Sequence, residues 1–264
     1  MEVNKIYNAD CVEFMKTIDN ESIDITITSP PYDNLRKYEW YSFDFEWTAK
    51  ELYRITKEWW VVVWVVNDAT IDWSESWTSF RQALYFKEVW FNLHDTMIYE
   101  KNTSTFPAKR TSNRYTQIFE YMFVFSKGKP KTAKLICDKK NIRWWVTTWG
   151  VSHNRNSDDK LVPTDKKTTI AEYSPRNNIW QYKVWRSANH WQWWVSDHPA
   201  VFPIQLVKDH LLSWSNEWDT VLDCFMWSWT TALACRELNR NFIWIEISPK
   251  YCEIANKRIS DLFT

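Results

Sequence analysis

Apolar and polar positions change period several times along the chain, and the changes divide it into short elements. Ile23-Asp24-Ile25-Thr26-Ile27 alternates with a period of two, the mark of a strand, and Val3 to Tyr7 reads as another. Cys11 to Ile18, Phe45 to Lys57 and Ser79 to Val89 read as helices, and Val61 to Val66 is an unbroken apolar run expected of a buried strand. Leu93 to Glu100 and Phe119 to Ser126 read as further strands, and Ile204 to Ser213 as a helix. Near the C-terminus, Thr220 to Asp223 is a strand and Thr230 to Asn239 a helix with Ala232, Leu233 and Leu238 on its apolar side. Phe242 to Ile247 is the next strand, and Pro249 opens a last helix through Ile259. Strands that alternate with helices predict a largely parallel sheet covered on both faces.

Two of the connections carry chemistry. Thr28-Ser29-Pro30-Pro31-Tyr32 follows the strand that ends at Ile27, and its prolines lock φ and remove two N–H groups. The resulting stiff corner suits a planar base with an exocyclic amine: Tyr32 can stack on the base while Ser29 and a backbone carbonyl accept the amine hydrogens. The second connection is Cys224-Phe225-Met226-Trp227-Ser228-Trp229, between the strand ending at Asp223 and the helix opening at Thr230. Strand, tight loop, helix and a strand ending in the acid Glu246 form the nucleoside-binding half of a doubly wound sheet, with a carboxylate placed for ribose hydroxyls.

Composition narrows the class. A chain of 264 residues suits one large α/β domain with an insertion, and 45% hydrophobic residues suffice for a core. No stretch approaches a membrane span, and Met1 to Lys5 has no signal-peptide character, so a cytoplasmic location is expected. Cys11, Cys137, Cys224, Cys235 and Cys252 lack metal-ligand spacing and read as reduced thiols; no metal site is expected. Net charge is zero, yet residues 127–190 hold 14 Lys and Arg against 5 Asp and Glu. A basic stretch with weak apolar periodicity beside a base-binding corner reads as a surface for phosphates.

The chain has 21 Trp and only 2 Gly, Gly128 and Gly150, where average usage gives about 18 Gly in this length. The tryptophans fall where glycine belongs. Trp59 and Trp60 follow a helix where a left-handed cap is expected, Trp218 sits in the turn Asn216-Glu217-Trp218-Asp219, and Trp73 and Trp77 interrupt a polar loop. Trp90 ends a helix, and Trp227 and Trp229 crowd the nucleoside loop. Trp40, Trp47 and Trp244 belong to the same group, whereas Trp64 and Trp214 read as genuine. The expectation is that most of these positions are glycine in the natural protein, through a reassigned codon rendered as tryptophan.

With both connections in view, the chain resembles, over nearly its whole length, the S-adenosylmethionine-dependent DNA methyltransferases that modify cytosine N4 or adenine N6. The order matches the group whose catalytic motif precedes its cofactor motif. Thr28-Ser29-Pro30-Pro31-Tyr32 resembles the catalytic motif, and Asp223 to Thr231 resembles the loop Asp-Pro-Phe-x-Gly-Ser-Gly-Thr-Thr. Cys224 replaces the proline of that loop, and Trp227 and Trp229 replace its glycines. Glu246 to Tyr251 resembles the ribose-binding segment, and Asn8-Ala9-Asp10-Cys11 the segment near the cofactor adenine. His198-Pro199-Ala200 with Phe202-Pro203 resembles the segment around the methionine end.

The resemblance implies a seven-stranded, Rossmann-like, doubly wound sheet formed by residues 1–126 and 196–264, with an inserted target-recognition region at 127–195. It implies Ser29, Pro30, Pro31 and Tyr32 as catalytic residues. Asp10, Phe202, Pro203, Asp223, Phe225, Ser228, Thr230, Thr231 and Glu246 are implied to hold S-adenosylmethionine. Arg110, Arg114, Lys139, Lys140 and Arg143 are candidate DNA contacts. Double-stranded DNA is the implied partner, with a restriction endonuclease as a further candidate. Ser at the motif's first polar position favours cytosine N4; adenine N6 stays open. So do methylation of RNA or protein by the same corner, and a non-catalytic, aromatic-rich nucleic-acid-binding module.

Overall fold

The computed structural model describes residues 1–31, 43–102, 114–145, 147–148, 151–165, 168–183, 203–226 and 230–263. Two compact units emerge: Met1–Lys134 with Asn178–Thr264, and Leu135–Asn177.

The first unit begins with β1 (Lys5–Asn8), α1 (Cys11–Met15) and β2 (Ile23–Thr28). α2 (Phe45–Ile55) runs straight into β3 (Thr56–Val66), and a hairpin of β4 (Thr70–Ile71) and β5 (Ser74–Glu75) leads to α3 (Thr78–Glu88). β6 (Asn92–Lys101) and β7 (Phe119–Ser126) follow. The second unit holds β8 (Lys139–Lys140), β9 (Thr147–Thr148), β10 (Val151–Arg155), β11 (Leu161–Asp165), β12 (Thr168–Thr169) and β13 (Tyr173–Ser174). These six pair antiparallel as β10 with β11, β9 with β12 and β8 with β13. The chain returns to the first unit with β14 (Ile179–Tyr182), α4 (Ile204–Trp214), β15 (Thr220–Asp223), α5 (Thr230–Glu237), β16 (Asn241–Glu246) and α6 (Pro249–Phe263).

One sheet organises the first unit, in the order β1-β16-β15-β2-β3-β7-β6-β14. Only the pairings of β7 with β3 and with β6 are antiparallel. The sheet therefore has eight strands rather than the expected seven; β14, which adds to β6, supplies the eighth. From β15 the chain crosses leftward through α5 to β16, and from β2 rightward through α2 to β3. Right-handed crossovers of opposite sense place their helices on opposite faces. Accordingly α1, α2 and α3 pack together in one layer, and α4 and α5 in the other.

Strand pleating divides the core between those layers. Val62, Trp64 and Val66 of β3, with Leu222, Ile243 and Ile245, bury against Met15, Leu52, Ile55 and Phe86. On the other side, Met122 of β7 meets His210 of α4, whose ring also packs on Trp180. β3 is apolar from Val61 to Val66 because both of its faces are covered. Trp64 is fully buried, and its indole N–H donates to Gln82 Oε1 at 2.9 Å.

The junction of α2 and β3 differs from expectation. The helix ends at Ile55 and the strand begins at once, with a register irregularity between Ile23 and Ile25 of its partner β2. Trp59 sits in this irregular part of β3, at φ 70°, rather than at a helix cap. Trp73, Trp77, Trp90 and Trp218 also have positive φ, and all five rings are 55–80% exposed. A side chain in this left-handed region costs on the order of 1–2 kcal/mol because Cβ crowds the backbone. Trp47, Trp60 and Trp244 do not share that conformation: Trp47 lies in α2, and Trp60 and Trp244 are buried in strands. Trp40, Trp227 and Trp229 lie outside the described residues.

Candidate active site

The two chemistry-bearing connections leave the sheet side by side. β2 and β15 are parallel neighbours, with Ile25 opposite Val221 and Thr26 opposite Leu222. Both strands therefore end at the same edge, and chain direction diverges between them. In an open α/β sheet, the crevice outside the carboxyl ends at such a switch point is where ligands bind.

Asp223 ties this point together. Thr28 Oγ1 donates to its Oδ1 at 2.7 Å, and the Phe225 N–H donates to the same oxygen at 3.2 Å. Thr231 Oγ1 in the first turn of α5 donates to Oδ2 at 2.9 Å. One carboxylate thus holds the end of β2, its own turn and the start of α5. Burial pushes its pKa up to about 6, against the opposing pull of these three hydrogen bonds. Cys224 is buried beside Thr28, and its thiol is pushed well above the ordinary value, mainly by desolvation. It is held as a neutral thiol.

Glu246 ends the adjacent strand β16. Its Oε1 accepts from the Ser248 N–H at 2.7 Å, while burial, with a smaller push from Asp223, raises its pKa to about 7. Asn8 of β1 lies opposite Glu246, and its side-chain amide donates to the carbonyls of Glu246 and Ile247. Asp10 begins α1 as its N-cap, accepting from the Val12 and Glu13 N–H groups. Asp10, just beyond β1, and Asp223 and Glu246, the last residues of β15 and β16, therefore stand at one edge of three neighbouring strands.

Ser29, Pro30 and Pro31 continue from β2 at this edge, with Ser29 buried. Phe225 packs its ring edge-on to Phe43 and Trp64, with centroids 5.1 and 6.3 Å away, which anchors the loop in the core. Thr230 opens α5 and is buried. Pro203 is the N-cap of α4; α4 precedes β15, so its N-terminus faces the same edge. Tyr32, Phe202, Ser228 and Arg110 lie outside the described residues, as does His198-Pro199-Ala200.

The remaining candidates belong to other elements. Arg114 donates to the backbone carbonyl of Trp73 and lies 3.9 Å from Glu75, so its guanidinium engages the β4–β5 hairpin. Lys139, Lys140 and Arg143 belong to the second unit, where Lys139 donates to Asn177 Oδ1 and Lys140 lies 3.8 Å from Glu172. All three are exposed. Among the described residues, no group of three or more His, Cys, Asp or Glu side chains is arranged to hold a metal ion.

Local sequence assigned no bond partner to Thr28 and no part to Asn67 or Asp68. Thr28 reads from the sequence as the first residue of the proline corner, whereas it is the last residue of β2, and its partner lies 195 positions away. Asn67 and Asp68 follow β3 at the same edge. Asn67 accepts from Gln117 at 2.8 Å and donates to the Phe119 carbonyl at 3.2 Å. Asp68 accepts from the Ser79 N–H at 2.9 Å and so caps α3, whose N-cap residue Trp77 makes no side-chain cap.

The chain is similar to known proteins along most of its length. A family model described as DNA methylase matches residues 23–257. The orphan methyltransferase M.BamHII of Bacillus amyloliquefaciens is 53% identical over 241 residues, covering 91% of this chain and 89% of that protein. The type II methyltransferase M1.MboII of Moraxella bovis is 25% identical, over 99% and 98% of the two chains. Among solved structures, the PvuII DNA methyltransferase (cytosine-N4-specific) superposes with a TM-score of 0.69 at 19% identity, over 97% of this chain and 86% of that one. A complex of M1.HpyAVI with S-adenosylmethionine superposes with a TM-score of 0.57 at 24% identity, over 96% and 98%.

Proposed function

Since the chain belongs to the DNA methylase family and is a DNA methyltransferase, we propose that it transfers the methyl group of S-adenosylmethionine to the N4 amine of cytosine in double-stranded DNA. The observation that carries this reading is the Thr28–Asp223 hydrogen bond. It joins the proline corner to the loop that opens the nucleoside crossover, at the switch point of the sheet.

The described residues fit the cofactor's chemistry. Glu246 presents a carboxylate beyond the end of β16, suited to accept from ribose hydroxyls, and Asp10 stands at the end of the neighbouring strand. Asp223 acts on the loop instead, because its oxygens already accept from Thr28, Phe225 and Thr231. The two tryptophans at 227 and 229 are the part of the sequence that does not fit. S-adenosylmethionine, when bound, supplies a methyl group activated by the adjacent sulfonium.

The chain's own work lies on the base. An amine conjugated to a pyrimidine ring is a poor nucleophile, because its lone pair is delocalised. Ser29 and the Pro30 carbonyl, accepting its hydrogens, favour a pyramidal nitrogen with a localised lone pair, and Tyr32 stacks on the extruded ring. With S-adenosylmethionine held by Glu246 and Asp10, the sulfonium would supply the methyl group to this lone pair and leave as the neutral thioether, and the nitrogen would lose one proton to water. Catalysis is chiefly positioning and electrostatics. The exposed cations of the second unit, Lys139, Lys140 and Arg143, supply phosphate contacts.

The test is to incubate duplex DNA with the protein purified from its native host and labelled S-adenosylmethionine, then identify the modified nucleoside by mass spectrometry after digestion. N4-methylcytosine is expected. N6-methyladenine would reassign the base within the family, and label in RNA or protein but not DNA would refute the proposal.

A further inference from the structure

We infer that the protein made in its own host carries glycine at positions 59, 73, 77, 90 and 218. We infer the same for 227 and 229, so that the chain written with tryptophan is a cofactor-refractory form of a competent methyltransferase. The part concerning 227 and 229 rests on the cofactor-loop reading above; the other five positions do not.

Each of the five sits in a backbone motif with its own demand for glycine. Asp72 and Trp73 form a two-residue hairpin loop between Ile71 and Ser74, both with positive φ, the arrangement that selects Asp-Gly. Trp90 follows α3 with a complete Schellman pattern: its N–H bonds to the Lys87 carbonyl, and the Phe91 N–H to the Phe86 carbonyl. The same pattern closes α5, with the Asn239 N–H on Arg236 and the Arg240 N–H on Cys235. There the left-handed position holds Asn, which tolerates it. Trp218 is the third residue of a turn closed by the Asp219 N–H on the Asn216 carbonyl, where positive φ again selects glycine. Trp59 lies in the irregular part of β3, and Trp77 is a left-handed N-cap without a side-chain cap bond.

Of the ten non-glycine residues with positive φ among those described, five are tryptophan; Asn and Asp make up four of the others. A bulky β-carbon residue has no physical reason to collect there. Nor do the rings form one stacking platform. Trp59, Trp90 and Trp218 precede or open strands at the N-terminal edge of the sheet, and Trp73 and Trp77 lie at the opposite edge. Trp64 shows what a selected tryptophan looks like here: negative φ, full burial and a hydrogen-bonded indole. A codon read as glycine in the host and rendered as tryptophan accounts for both classes. It also confines methylation by this gene to cells that decode the codon as glycine.

Intact-mass measurement of the protein purified from its native host decides directly. A mass lighter by the Trp-to-Gly difference at each position is expected, and a mass matching 21 tryptophans overturns the inference. Thermal unfolding of a chain with glycine at the five positions tests the backbone demand. Returning Trp90 or Trp218 singly to that chain should lower Tm by about 2–4 °C, whereas Trp64→Gly should lower it far more. Unchanged or raised Tm on returning each of the five overturns the assignment. For the loop, calorimetric titration with S-adenosylmethionine should show binding by the seven-glycine chain and none by the five-glycine chain. Equal binding or equal failure overturns the claim for 227 and 229. Cofactor binding without methyl transfer to DNA supports the glycine assignment and counts against the proposed activity instead.

Discussion

Thr28 Oγ1 and Asp223 Oδ1 lie 2.7 Å apart, donor to acceptor, at the ends of adjacent parallel strands. The hydroxyl joins the corner proposed to present the base to the loop proposed to open the cofactor crossover. In the seven-glycine chain, the parent for the variants that follow, Thr28→Val keeps the shape and removes the donor. The buried carboxylate then loses one partner, which costs about 1–3 kcal/mol. Urea unfolding should show that loss together with weaker cofactor binding, and Thr28→Ser should restore both. A valine variant that binds as tightly as the parent would show that the two connections are not coupled through this bond.

The two carboxylates give the site a pH dependence of defined sign. Asp223 is raised to about 6 and Glu246 to about 7, so the native state binds more protons than the unfolded chain from about pH 4 upward. These groups make the ligand-free protein lose stability as pH rises through that window, with no further loss above pH of about 7. Cofactor binding should run the other way and strengthen on ionisation of Glu246. Affinity measured from pH 6 to 8 should rise with pH, and Glu246→Gln should flatten the slope. A parent enzyme with no slope would contradict the role of Glu246.

Tyr32 and Ser29 separate chemistry from cofactor binding. Tyr32→Ala removes the stacking ring, so transfer to DNA should fall by at least about 100-fold, while affinity for S-adenosylmethionine stays within about two-fold. Ser29→Ala should lower kcat more than it raises KM for DNA. Turnover unchanged in Tyr32→Ala would refute the assigned role.

Trp64 fills the core beneath the same edge, against Phe45, Phe86 and Phe225. Trp64→Phe leaves Gln82 without its indole donor and opens a small void. A loss of about 1–3 kcal/mol is expected in denaturant unfolding. Because Phe225 rests on this ring, the cofactor loop should weaken in parallel; intact stability would show that the indole is replaceable.

The cations of the second unit are tested by salt. Exposed pairs such as Lys140 with Glu172 contribute little to folding, so alanine at Lys139, Lys140 and Arg143 should leave Tm nearly unchanged. DNA affinity should fall, and the slope of log K against log salt should shrink by about 0.9 for each phosphate that is no longer neutralised. An unchanged slope would move the phosphate-binding surface to another part of the protein.

Local periodicity determined much of this molecule. β7 and β15 match the expected spans, Phe119–Ser126 and Thr220–Asp223, because burial on both faces left short apolar runs between polar ends. The proline corner and the acid-terminated crossover were legible because their chemistry is local, and so was the misfit of tryptophan at turns and caps.

Tertiary structure alone decided the rest. Strand order brought Thr28 to Asp223 across 195 residues, which no local pattern encodes. β14 joined the sheet as its eighth strand through pairing with β6, although its own sequence is short and lies beyond a polar, basic stretch. Backbone dihedrals separated Trp59, Trp73, Trp77, Trp90 and Trp218 from Trp47, Trp60 and Trp244. The physical reason is common to all three: sequence sets which residues must be buried and where the chain must bend, while neighbours distant along the chain set the partner and the φ of each.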